Sequence, residues 1–306
     1  MSEATVDSEQ MHAQSRVISR CIGHLTLDEI ARLNARGDGD YVRSLIELSI
    51  IQATRPVGDD PDEVNRLISV RAVAASIDVP YETCRRKVRD LEAAGRCVRV
   101  GANRVAMPAD LLDAPAYQAD CDDRWRSLRG YLVELRDIGF DFRQFGRVSP
   151  QVKVKAPSLS QSVAALIDDY MLRLIEARPK ASDSATDTNI LIAVMTMNGE
   201  LIRRDRDLTW TYAATETAPP DHLRMPVTIA TIARRLNMSE DVVGRRLGQY
   251  VRRGWIQRVR KGYLYAMGQQ QSAEFRHAQH LTIQRFFQLV QALRQLGVDP
   301  VTVKVG

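Results

Sequence analysis

No run of apolar residues in this chain approaches the roughly 18 that a helical membrane span needs. The first ten residues, MSEATVDSEQ, are acidic with no apolar stretch behind them, so membrane insertion and secretion are not expected. Cysteine is scarce: Cys21, Cys84, Cys97 and Cys121 all lie in the first half of 306 residues, and none sits in a C-x-x-C pair. Such sparse usage in a long chain suits a reducing compartment, and the protein is expected in the cytoplasm. Walker, nucleotide-binding G-x-G-x-x-G, G-x-S-x-G and H-E-x-x-H motifs are absent, so an enzyme is not expected. His277 and His280, three apart on an expected helix, have no third ligand with supporting spacing, and neither metal nor cofactor is expected. What is present is an ordinary globular composition, 44% apolar and 26% charged, with enough Leu, Ile and Val to exclude a disordered chain.

The net charge of +5 is unevenly spread. Ser69–Met107 holds eight Lys and Arg against four acids, and Thr228–Ala266 holds nine against two. These windows exceed the charge of the whole chain, so the remainder is acidic overall. Two concentrated positive stretches are the footprint expected of nucleic-acid contact patches; a solvated helix face is the plainer reading of either one alone.

The two windows share a pattern. Displaced by 159 positions, Val70 falls on Ile229, Val73 on Ile232, Ile77 on Leu236, Cys84 on Val243, Val88 on Leu247 and Leu91 on Tyr250, without a gap. Arg86 meets Arg245, and Gly95 meets Gly254. After each window WRSLRGYLVELRDIGFD matches IQRFFQLVQALRQLGVD, an amphipathic helix ended by Gly139 or Gly297. Upstream, Tyr41–Ala53 and Asn189–Asn198 have helical spacing, with a looser match between Ile18–Ile30 and Val163–Ile175. The expected organisation is therefore an internal duplication: a disordered tail over 1–14, a first half over 15–142, a basic linker over 143–159 and a second half over 160–306, with Thr211–His222 a polar loop.

Within each window a short helix, a tight turn at Asp78 or Asn237, a longer helix and an alternating basic hairpin follow in order. Asp and Asn suit a left-handed turn, and Ser239 can cap the longer helix that follows Asn237. Buried Cys84, Val88 and Leu91, and Val243, Leu247 and Tyr250, fall on one face of that helix, so Cys84 is expected in the core. RCVRVGANRVAM and WIQRVRKGYLYAM alternate about turn residues, as hairpins do. Helix, turn, helix and hairpin make a winged helix-turn-helix. The fold class expected is mainly α with small β wings: tandem winged helix-turn-helix domains flanked by helices.

SEDVVGRRLGQYVRRGWI (239–256) resembles the DNA-binding module of bacterial transcription regulators, the Crp/Fnr-like winged-helix proteins foremost and MarR-like modules second. The resemblance covers about 40 residues per half and departs from the pattern at Pro80 and Cys97; no cyclic-nucleotide β-roll accompanies it. It implies that the start of each second helix enters the major groove, with base-edge contacts from Tyr81, Glu82 and Arg86 and from Glu240, Asp241 and Arg245. Arginine can donate twice to guanine, and a carboxylate can accept from cytosine. Glu82 with Arg86, and Asp241 with Arg245, are four apart and could orient one another. Arg85, Lys87, Arg89, Arg246 and Arg252, with Arg99, Asn103, Arg104, Arg258, Arg260 and Lys261 of the wings, are expected against phosphate or solvent. The function expected is a sequence-specific, double-stranded-DNA-binding transcriptional regulator, its operator and any small-molecule effector unspecified. A plasmid- or phage-type replication or partition initiator is the alternative, and a protein-binding scaffold a weaker third. One chain with two readers could span two half-sites; a homodimer through Phe286, Phe287, Val290 and Leu293 is the other arrangement, if those residues are not simply intrachain core.

Overall fold

The computed structural model describes residues 14–55, 67–145, 158–175, 177–178 and 184–304. The expected tail (1–14) therefore falls outside the described residues but for Gln14, and of the expected linker (143–159) only 143–145 and 158–159 are described. The chain is mainly helical, with two small antiparallel sheets. In order come α1 (Ser15–Arg36), α2 (Tyr41–Thr54), β1 (Ile68–Ser69), α3 (Val70–Ser76), α4 (Tyr81–Ala93), β2 (Val98–Val100), β3 (Arg104–Ala106) and α5 (Pro115–Asp137). There follow α6 (Leu159–Arg173), α7 (Ala185–Asn198), α8 (Glu200–Arg203), α9 (Arg206–Thr211), α10 (Ile229–Leu236), α11 (Glu240–Arg252), β4 (Ile256–Val259), β5 (Gly262–Tyr265) and α12 (Ala273–Gln295).

Local chemistry accounts for the element ends. Asp78 and Asn237 both have φ of +52° after their short helices. In each, the residue's own N–H and that of the next residue return to carbonyls of the last turn: Val79 to Ala74 and Met238 to Ala233. This is the paired closure of a left-handed helix end. Ser239 accepts from the Val242 N–H and starts α11, whereas α4 starts after Pro80 with no side-chain cap. Gly139 and Gly297, at φ of +95° and +79°, close α5 and α12 in the same left-handed way.

The first sheet has three strands in the order β1-β3-β2, one more than the alternating pattern foretells. The extra strand is only two residues long, too short to leave a period of two in the sequence. In the second sheet its counterpart is a single bridge between Val227 and Tyr263. Gly262 makes that bridge possible: at φ of +142°, a Cβ there would lie 2.4 Å from the Val227 carbonyl oxygen.

Packing crosses from one sequence half to the other. α1 lies against α7 and α10 as well as α2, while α6 lies against α2; α5 and α12 each pack on both α1 and α6. One apolar core runs through all of these helices. Where α1 crosses α7, Gly23 faces Thr196 so closely that a Cβ would fall 2.4 Å from its Oγ1. The amide of Asn34 in α1 donates to the Leu236 carbonyl at the end of α10 (2.6 Å), and Arg235 pairs with Asp28 of α1 (2.8 Å). Phe286, Phe287, Val290 and Leu293 are buried in this core. The apolar face proposed for a homodimer is thus consumed within the chain. The four cysteines are free and buried; Cys84 lies in the core as expected.

A pH-sensitive joint sits where α1 meets α8. Burial, with the nearby Arg203 guanidinium, lowers the His24 imidazole from 6.5 to about 4 despite Glu200 only 3.0 Å away. Unfolding frees it to titrate normally. Its contribution to stability is therefore intact above pH 6.5 and is lost as pH falls from 6.5 toward 4. Relative to His24→Asn, the wild type should lose roughly 1 kcal/mol per pH unit between pH 6 and 5. Urea unfolding of both proteins across that interval checks this, and parallel pH profiles would refute it.

Candidate nucleic-acid interface

The two longer helices, α4 and α11, begin and end at positions 159 apart, and each carries its apolar stripe inward. Their opposite faces hold the candidate contacts. In α4, Tyr81, Glu82, Arg85, Arg86 and Arg89 are exposed. In α11, Glu240, Asp241, Arg245 and Arg252 are exposed. Arg86, Arg89, Arg245 and Arg252 make no hydrogen bond or ion pair to described residues.

Neither expected i,i+4 pair forms. Glu82 is engaged by Arg85, whose Nε and Nη2 both donate to one carboxylate oxygen at 2.9 and 2.7 Å. One turn of helix brings i and i+3 together as readily as i and i+4, and the forked guanidinium of Arg85 reaches the oxygen first. Asp241 and Arg245 stay apart. The result leaves Arg86 and Arg245 alike, exposed with no acidic partner among the described residues.

Two cations counted toward phosphate are engaged inside the protein. Lys87 is half-buried and bonds Asp40, the N-cap of α2. Arg246, 159 positions on, pairs at 3.2 Å with Asp187 in the first turn of α7, a carboxylate only 2% exposed. Each ties the inner edge of the longer helix to the start of a helix upstream of its window, α2 or α7. Carboxylates are well placed there, since helix N-termini favour negative charge. No residue near Lys87 or Arg246 in sequence announces this, because the partners lie 47 and 59 positions away.

The hairpins differ in charge. In the first, Arg99 is held by Glu92 at 2.9 Å and by the Ala102 carbonyl, leaving Arg104 and Asn103 exposed. Arg96, at the end of α4, is bound by Glu47 together with Arg36. Val98 and Val100 are exposed large apolar side chains. In the second, Arg258, Arg260 and Lys261 are all exposed without an acidic partner among the described residues. The second hairpin therefore presents three exposed cations without an acidic partner among the described residues where the first presents one, Arg104. Arg234 on α10 and Arg71 on α3, also exposed, were not singled out from the sequence; their short helices flank the same faces.

Among the described residues no group of three His, Cys, Asp or Glu could hold a metal, and no helix is long and apolar enough to cross a membrane. Compared with protein-family models, curated proteins and solved structures, the chain has no significant match.

Proposed function

We propose that this protein is a sequence-specific, double-stranded-DNA-binding transcriptional regulator built on two non-identical winged helix-turn-helix readers that arose by internal duplication. The observation that carries the reading is the recurrence, at one constant displacement of 159, of a helix with an inward apolar face and an outward arginine without an acidic partner among the described residues, Arg86 and Arg245, followed by a hairpin. Helix starts of this kind suit the major groove, and arginine suits guanine. The continuous core further supports a single chain holding both readers at a fixed relation, so that a monomer engages two half-sites.

The electrostatic difference between the hairpins divides the labour. Arg258, Arg260 and Lys261 supply phosphate contacts that set affinity, while the first reader contributes more to choice of sequence than to attraction. Selection from a pool of random duplexes tests the reading: enrichment of one bipartite site is expected, and no enrichment even at very low ionic strength would refute it. On the selected site, replacing Arg258, Arg260 and Lys261 together by alanine should reduce the slope of log affinity against log salt by about 2 to 3, since each lost phosphate contact removes roughly 0.9. The same change is expected on random duplex. The corresponding Arg99 and Arg104 double variant should change the slope by less than about 1.

A further inference from the structure

A cavity of about 190 Å³ opens between α1, α7, α12 and the β4–β5 hairpin. Its walls are mostly apolar, with Ile22, Leu191, Ile192, Met195, Trp255 and Phe275 among them. Three arginines also line it, Arg16, Arg20 and Arg224, and no acidic side chain does among the described residues. Arg224 has its own carboxylate, Asp221, at 2.8 Å. Neither Arg16 nor Arg20 has an ion-paired carboxylate among the described residues: Arg16 donates to the Thr215 carbonyl (2.7 Å), and Arg20 to those of Thr209 (3.2 Å) and Tyr212 (2.5 Å). Arg16 is only 7% exposed, and its Nε is buried without a partner.

Carbonyl oxygens satisfy donors but do not neutralise charge, and a buried cation is costly unless an anion accompanies it. The cost is visible in both side chains. Burial lowers Arg16 to about 10 even with the field of Glu216 opposing it, and burial together with Arg16 lowers Arg20 to about 10. A site lined by two guanidiniums that only carbonyl oxygens hold directly among the described residues, Arg16 in the more distant field of Glu216, and by apolar walls lacks one kind of occupant. We propose that this cavity binds a small amphipathic carboxylate, its anionic head at Arg16 and Arg20 and its apolar body among Ile22, Leu191, Met195 and Trp255.

The occupant would touch the joint that carries the second hairpin. Trp255 stacks on Tyr250 in the last turn of α11, with ring centroids 5.7 Å apart. Arg224 bonds the Tyr265 carbonyl, and the Asn198 side chain bonds the backbone of Met225, Tyr263 and Tyr265. Binding here is therefore coupled to the placement of α11 and its hairpin. This coupling rests on the DNA-binding reading above; the site itself does not.

Calorimetric titration of the full chain with octanoate, octanol and octylammonium tests the site. Saturable binding of octanoate is expected, ~10-fold tighter than octanol because charge-assisted hydrogen bonds form only with the anion, with octylammonium weakest. Absence of saturable octanoate binding, or octanol binding as tightly, would overturn the proposal. Arg20→Gln should abolish the preference for octanoate over octanol while leaving octanol binding unchanged; if that variant does not fold, the three-ligand comparison on the wild type decides alone. In a second arm, affinity for the selected duplex should shift ~5-fold or more with octanoate present, and no shift would overturn the coupling. Failure of the wild type to bind any duplex would instead overturn the DNA-binding reading and leave the calorimetric result standing.

Discussion

Arg124→Met is expected to destabilise the protein by about 3–5 kcal/mol, the range for breaking a buried ion pair from one side. Arg124 on α5 is 5% exposed and forms ion pairs with two buried carboxylates, Glu29 of α1 at 3.0 Å and Asp168 of α6 at 2.6 Å. Burial alone would lower its pKa, but Asp168 and Glu29 more than reverse this and raise it. Methionine fills much of the volume and leaves both acids without that partner. Asp168 retains Arg55 at 3.2 Å, so Glu29 bears most of the loss, with Arg32 at 3.8 Å its only remaining ion-pair partner among the described residues. Burial already raises the Glu29 carboxyl against the pull of Arg124, and removing Arg124 raises it further. A carboxyl whose folded pKa exceeds its unfolded value favours the fold at low pH and ceases to do so as pH rises. The deficit of Arg124→Met should therefore be larger at pH 8 than at pH 5. Urea unfolding at the two pH values checks both statements; a deficit below about 1 kcal/mol at pH 8 would show that the cluster is not a structural tie.

The same cluster marks what a linear reading could not reach. Turn residues, inward stripes and helix ends are encoded locally, and Asp78, Asn237, Ser239 and Gly139 all behave as their chemistry dictates. Element limits move outward from the amphipathic stripe: α5 begins at Pro115 rather than near Trp125, with proline at its start and Tyr117 and Cys121 buried in its first turns. The placement of α1 across α7 and α10 depends on contacts such as Asn34 to Leu236, some 200 residues apart. Amphipathic spacing says that a helix buries a face and is silent about which element covers it. The cavity was equally hidden, since Arg16 and Arg20 look in sequence like ordinary surface cations. The exposed faces of α4 and α11 were legible because periodicity assigns the inward side and leaves the outward one. Which outward cations are neutralised was not, because Asp40 and Asp187 belong to other helices.

That distinction separates two adjacent arginines of α11. Arg245 points outward with no acidic partner among the described residues, whereas Arg246 is spent on buried Asp187, which also accepts from Ser184 Oγ at 2.7 Å. Arg245→Ala removes nothing the fold uses, so its stability should stay within about 0.5 kcal/mol of wild type. On a duplex selected from a random pool it should cost ~1–3 kcal/mol, or ~5- to 150-fold in affinity, by the loss of a bidentate contact to guanine. Binding to random duplex should fall only slightly, since a base contact contributes little there. Arg246→Ala leaves a buried carboxylate one charged partner short and should lower stability by ~1.5–3 kcal/mol. Its affinity for the selected duplex, measured well below the unfolding transition, should change less than that of Arg245→Ala. Paired measurements of thermal unfolding and fluorescence anisotropy separate the two roles. Equal losses on selected and random duplex for Arg245→Ala, or an intact fold with lost binding for Arg246→Ala, would count against the proposal that the outward face of α11 contacts DNA.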